Sequence, residues 1–172
     1  MTDPIARSVE IIADRYFYDR LRQRLEGLTD DEYLWSPVAE CLTVTGEPGR
    51  VAWGTPGFTT IAWRIAHLSE GFRAERAWRW LGREPAFLDA DIRHPTTAAG
   101  AITELETNYT AWHDLLGSLG PDELWQPIGP IGGPLYGDSE RLTFVFHVVD
   151  ELIHHAAEIG VLRDLYAATV TT

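Results

Sequence analysis

The sequence predicts an all-α protein, a four-helix bundle in a single domain over residues 1–172, with long loops after the first and third helices. Three observations predict it. Apolar residues recur at helical spacing in four stretches, two long Gly- and Pro-rich segments interrupt them, and an internal repeat divides the chain into similar halves. A chain of 172 residues is also long enough to bury a core without disulfide or metal staples.

The helical segments fall near 5–26, 58–82, 98–118 and 139–167, each rich in Leu, Ala, Ile, Arg and Glu. Gly27, Gly82 and Gly120 lie just beyond the first three, where a helix commonly ends. Asp138 or Ser139 suits the N-cap of the fourth. Between Ser36 and Gly57 there are three prolines and four glycines, and the same numbers recur between Pro127 and Gly137. Loops of this length are more often functional or disordered than simple connectors. Within the first, Cys41–Thr45 and Arg50–Trp53 can pair as a short hairpin.

The repeat consists of Leu28-Thr-Asp-Asp-Glu-Tyr-Leu-Trp35-Ser-Pro37 and Leu119-Gly-Pro-Asp-Glu-Leu-Trp125-Gln-Pro127. Each half is a helix, an acidic turn ending in Trp-x-Pro, a long loop and a second helix. Two similar helix pairs then face one another, and the second and fourth helices occupy equivalent places. Trp35 and Trp125 are expected to anchor the turns, while Trp63, Trp78 and Trp112 belong to core or pocket wall. Trp53 and Tyr136, one in each long loop, can either cover a site or pack.

Composition removes several function classes. With 14 basic and 26 acidic residues the net charge is -12, which disfavours nucleic acid, because that affinity comes largely from Lys and Arg releasing counterions. No apolar run approaches the ~20 residues of a membrane span. Met1–Arg7 lacks the apolar segment of a signal peptide, so a reducing cytoplasm is expected. The lone Cys41 cannot form an internal disulfide, and no helix start follows it to activate its thiol.

The functional clue is His147-Val-Val-Asp150-Glu151-Leu-Ile-His154-His155-Ala-Ala-Glu158. On a helical wheel Val145, Val148, Val149, Leu152, Ala156 and Ile159 form the buried stripe. Glu151 and His155, four apart, share one flank of it, while Asp150 and His154 fall on the solvated side. His147 lies about 12 Å along the axis from His155 and is a poor co-ligand. On the second helix Ile61, Ile65, Leu68 and Phe72 make the stripe, with His67 on its flank and Gly71 leaving room one turn later. A lone histidine near an apolar face is usually a hydrogen-bonded core residue. His67, Glu151 and His155 together are two imidazoles and a carboxylate, a set that binds a divalent ion and leaves positions open. Arg64, Arg73, Arg76, Arg79 and Arg83 give the second helix a basic side, read chiefly as ion pairs such as Glu75–Arg79 and otherwise as an anion site for substrate.

His67 within Thr60-Ile-Ala-Trp-Arg-Ile-Ala-His67-Leu-Ser69, and the run Asp150–Tyr166, resemble the DinB-like superfamily of four-helix metalloproteins over nearly the whole chain. The resemblance implies an up-down-down-up course and a metal held by a second-helix histidine and a fourth-helix His-x3-His. This chain departs by carrying Glu151 in place of the first of those histidines. The same His, Glu, His set occurs in the related mycothiol-dependent maleylpyruvate isomerase, whose second domain has no room here. The resemblance further implies a divalent-metal enzyme acting on a small-molecule substrate. Zinc is the first choice of ion and nickel, iron or manganese also suit the set. Mycothiol or bacillithiol would be co-substrate in a transferase or isomerase reaction, and a homodimer is the family habit. The alternatives are a metal-dependent hydrolase, and a non-catalytic stress-related binding protein with a vestigial or structural site. In the latter Glu151 and His155 merely pair. A catalytic histidine needs a second partner, and Glu158, Asp150 and Glu70 are the acids at hand.

Overall fold

A computed structural model describes residues 4–46, 49–51, 57–85, 88–120 and 122–170. It is mostly helical. Helix α1 (Pro4–Tyr16) runs without a break into a π-helical segment, Phe17–Arg22, which turns Phe17 and Leu21 into the core. Gly27, at φ +71°, ends this stretch in the left-handed conformation that glycine adopts without steric cost. The first acidic turn then forms the short helix α2 (Asp30–Tyr33), where Thr29 Oγ1 accepts the Glu32 amide.

The first long loop carries two small sheets. β2 (Val44–Thr45) pairs antiparallel with β3 (Arg50–Val51), the hairpin expected there, and β1 (Cys41–Leu42) pairs parallel with β4 (Phe58–Thr59). Trp53 lies outside the described residues. The β1–β4 sheet delivers the chain to α3 (Ile61–Arg73): Leu42 O accepts the Thr60 amide at 3.0 Å, and Thr60 Oγ1 caps the helix by accepting from Trp63 N.

The continuous second helix expected over 58–82 is not observed. Residues 58–59 are strand, and Ala74, at φ -52° and ψ 145°, separates α3 from α4 (Glu75–Trp80). A reciprocal pair of hydrogen bonds holds the break: Glu75 N donates to Asp89 Oδ1 at 2.7 Å, and Asp89 N donates to Glu75 Oε2 at 3.0 Å. This is a capping arrangement closed across 14 residues, so no local pattern signalled it.

Helix α5 (Ala98–Gly117) starts where expected, capped by Thr97 and by Asp30 Oδ1, which accepts the Ala98 amide at 2.7 Å. The second long loop contains a 3₁₀ turn (Pro130–Gly132) and α6 (Gly133–Tyr136), and it closes on itself through Ile128 N to Ser139 O and Gly129 N to Gly137 O. Helix α7 spans Arg141–Val170, so Asp138 and Ser139 precede it and neither is its cap. Its first amides go instead to the second acidic turn: Arg141 N to Gln126 O and Leu142 N to Leu124 O.

One hydrophobic cluster joins these elements, and α3 packs against both α5 and α7. Phe17 stacks on Tyr109 at 3.7 Å, and Phe72 meets Tyr109 and Trp112 at 5.3 and 5.5 Å. Two polar side chains in this region are paired, Tyr109 OH donating to Asp14 and Asn108 Nδ2 to Ser69 Oγ. Every residue of the α7 stripe read from the wheel is buried. The two tryptophans of the repeat differ: Trp35 meets Tyr166 edge-on at 5.4 Å, whereas Trp125 is exposed.

Candidate metal centre

Two structural choices made outside the site bring its residues together. The Thr60 cap sets the start of α3 and thereby the rotation of His67 and of Trp63 and Arg64, which stand four and three positions before it. Packing of α3 on α7 then sets that flank against Glu151, His155 and Glu158.

The three sequence-predicted residues meet at a point. Nε2 of His67 lies 3.0 Å and Nε2 of His155 3.1 Å from the same oxygen, Oε2 of Glu151. One ligand atom from each falls within 4.8 Å of the others. The imidazole planes are nearly perpendicular, 4.8 Å apart, and the Trp63 indole stacks on His67 at 4.9 Å. His155 is buried, while the other two are partly exposed on the side facing a cleft.

Glu158 supplies the second partner of His155, with Oε2 2.6 Å from Nδ1. The same oxygen is paired with the Arg64 guanidinium. Of the other two nearby acids, Glu70 is engaged by His94 and Asp150 is exposed on the far side. His154 is solvated as expected but also reaches Glu158, at 3.2 Å. His147, half exposed, stands 3.9 Å from Glu151 Oε1, outside the converging set but in the cleft wall.

The protonation states suit ligands. Hydrogen bonds from His155 and His67 hold the Glu151 carboxyl far below the usual carboxylate range, against the opposing effect of its partial burial. Burial pulls the His155 imidazole below its ordinary value, although Glu151 pulls the other way. Two carboxylates fix the His155 ring from opposite sides, Glu158 Oε2 at 2.6 Å from Nδ1 and Glu151 Oε2 at 3.1 Å from Nε2. With the bridging protons displaced, two imidazole nitrogens and a carboxylate oxygen would converge as donors for one cation.

The donor set fits a divalent ion. Ligands at the 2.0–2.1 Å typical of imidazole nitrogen on tetrahedral zinc stand about 3.3 Å from one another, close to the 3.0 and 3.1 Å found here. A cleft of about 180 Å³ opens beside the cluster, bounded by His67, Gly71, Arg76, Phe144, His147 and Glu151. A methyl group built on Gly71 would meet nothing within 4 Å, so the space anticipated there exists. A larger groove, about 730 Å³, runs between the Tyr16–Arg24 stretch and α7, but it is a broad surface trough away from the converging ligands, and two of its charged residues, Arg24 and Asp164, pair with each other.

Two residues carry more than their sequence pattern suggests. Arg64 reads in the sequence only as part of a basic helix side, although its position three before His67 places it on the same face. His94 has no local signal at all. It is buried between Glu70 at 2.9 Å and Glu104 at 3.2 Å, a cluster assembled from α3, α5 and the loop before α5. The remaining arginines of α3 and α4 largely follow the ion-pair reading: Arg73 with Glu104, Arg79 with Glu75 and Glu84, and, just after α4, Arg83 with Glu123. Arg76 differs, lying over the Trp80 and Phe144 rings.

No curated protein and no solved structure matches the chain significantly. A family model does, over residues 14–159, a span that takes in His67, Glu151 and His155. The chain belongs to the DinB superfamily.

Proposed function

We propose that this protein is a divalent-metal-dependent enzyme whose ion is held by His67, Glu151 and His155. The observation that carries the reading is the convergence of His67 Nε2, His155 Nε2 and Glu151 Oε2, with Glu158 on the opposite ring nitrogen of His155. Membership of a superfamily that includes metal-binding proteins supports it. A bundle of up-down-down-up course is the matching architecture. It is supported by Val9 and Leu116 lining one pocket while Phe17 stacks on Tyr109, and by Arg64 and His67 reaching Glu158 and Glu151 in reverse order.

An ion with two neutral imidazoles and one carboxylate keeps a net positive charge, so it can depress the pKa of a bound water or thiol and polarise a carbonyl. The chain's own residues do the rest. Glu158 and Arg64 fix the His155 ring, Trp63 covers the His67 ring, and the cleft between His67, Gly71 and Phe144 admits substrate from the open side. The activity proposed is transfer or isomerisation with a low-molecular-weight thiol such as mycothiol or bacillithiol, which would enter by this cleft. Cys41 is not the thiol: it lies in β1, its Sγ 3.6 Å from Val38 O, and it is not among the cluster. Zinc is the proposed ion, by the chemistry of its preferred donors.

The test is elemental analysis of protein purified without a metal-affinity step, beside Glu151→Ala and His155→Ala. About one equivalent of a first-row metal in wild type, lost in both variants, is expected. Wild type that takes up no ion from zinc, nickel, iron or manganese would refute the proposal.

A further inference from the structure

Two clefts adjoin at the ligand cluster. The one bounded by His67 and Glu151 shares Arg76, Phe144 and His147 with a second, of about 150 Å³, whose further walls are Trp80, Ile128 and Tyr136. The second is aromatic: Trp80 lies 5.0 Å from Phe144 and 5.3 Å from Tyr136, centroid to centroid. Between the two stands the Arg76 guanidinium, 5.5 Å from the Trp80 ring and 6.0 Å from Phe144.

Arg76 is the exception on its helix pair. Arg64, Arg73 and Arg79 each have a carboxylate within ion-pair distance, whereas Arg76, among the described residues, has none. In a chain with 26 acidic and 14 basic residues, an exposed arginine without a carboxylate at the mouth of an aromatic cleft contributes no ion pair, and its ring contacts leave its hydrogen-bond donors available. It is well suited to an anion, since the guanidinium fork matches carboxylate geometry in two parallel hydrogen bonds and ring contacts keep it in place.

We propose that the paired clefts form a substrate subsite for a small carboxylate with a flat apolar body, its anion held by Arg76 and its body against Trp80, Phe144 and Tyr136. The proposal rests on the metal-centre reading for its role in turnover, because the subsite places the bound molecule beside His67 and Glu151. Arg76 acts there as a specificity-determining residue, selecting anionic over neutral substrates.

The probe is benzoate, with benzamide as its neutral counterpart of similar shape, titrated into chelator-stripped protein so that no ion competes for the carboxylate. Two-dimensional ¹H–¹⁵N spectra track the Trp80 indole signal, assigned with Trp80→Phe. Benzoate is expected to give a saturable shift, benzamide to bind about tenfold more weakly, and Arg76→Gln to weaken benzoate about tenfold, from the loss of one charge-assisted hydrogen-bonded pair. Arg79→Gln, whose arginine pairs with Glu75, should bind benzoate as wild type does. No saturable shift, equal binding of the two probes, or unchanged affinity in Arg76→Gln would overturn the subsite. Metal uptake measured on unstripped portions of the same preparations separates the two readings. Loss of benzoate binding with the ion retained sinks the subsite alone, while benzoate binding through Arg76 in a protein that takes no ion sinks the metal centre alone.

Discussion

Alkaline pH should loosen this protein through one histidine outside the candidate ligand set. His94 is buried with its two ring nitrogens 2.9 Å from Glu70 and 3.2 Å from Glu104, and Glu104 also accepts from Arg73 at 2.8 Å. Burial alone would push the imidazole down, but hydrogen bonds to Glu104 and Glu70 outweigh it and raise it from 6.5 to about 9. A group bound more tightly to its proton in the folded state stabilises below its unfolded pKa, and that stability is lost as pH rises through the folded value. The contribution is therefore complete below about pH 6 and gone by about pH 9.5, and at 1.36 kcal/mol per tenfold change in proton affinity it is on the order of 3 kcal/mol. Burial also raises the Tyr33 and Tyr109 hydroxyls above their ordinary 10, so their own losses begin at higher pH than this window. Urea unfolding of wild type and His94→Gln at about pH 6.5 and about pH 9.5 isolates the effect. His94→Gln should cost on the order of 3 kcal/mol at the lower pH, where two carboxylates lose their cation, and under 1 kcal/mol at the higher. An equal cost at both values would show that His94 is not charged in the folded protein.

Glu158→Gln keeps the shape of the side chain but weakens its hold on His155 Nδ1, and it should reduce metal affinity about 10- to 100-fold, read by competition with a chromogenic chelator. Unchanged affinity would mean that Glu158 serves only Arg64. Asp89→Ala removes the acceptor of the Glu75 amide at the start of α4 and should cost about 1 kcal/mol in denaturant unfolding. A loss below about 0.3 kcal/mol would show that the α3–α4 break is held by something other than this bond.

The helical class, the ends of α5 and the inward face of α7 were legible in the amino-acid order alone, because each depends on period and capping within one segment. Apolar spacing on α7 put Val145, Val148, Leu152 and Ile159 inside, and four-residue spacing then put Glu151 and His155 on one flank. The candidate site was legible for the same reason: two of its residues are one turn apart, and a third lies on the flank of another amphipathic helix. The repeated Trp-x-Pro turns signalled equivalent halves but not their different burial, since Trp35 owes its shelter to Tyr166, more than a hundred positions away.

Features that depend on groups far apart in the chain emerged only on assembly. Asp89 breaks the second helix at Ala74, Leu124 and Gln126 take the first amides of α7, and Glu70 and Glu104 charge His94. Packing also chose Glu158 over Asp150 and Glu70 as partner of His155, and it left Arg76 facing an aromatic cleft while its neighbours found carboxylates. A helix period reports which side of a segment is buried, but electrostatic roles depend on which opposite charge packing brings within hydrogen-bond reach, and that is a property of the assembled tertiary structure.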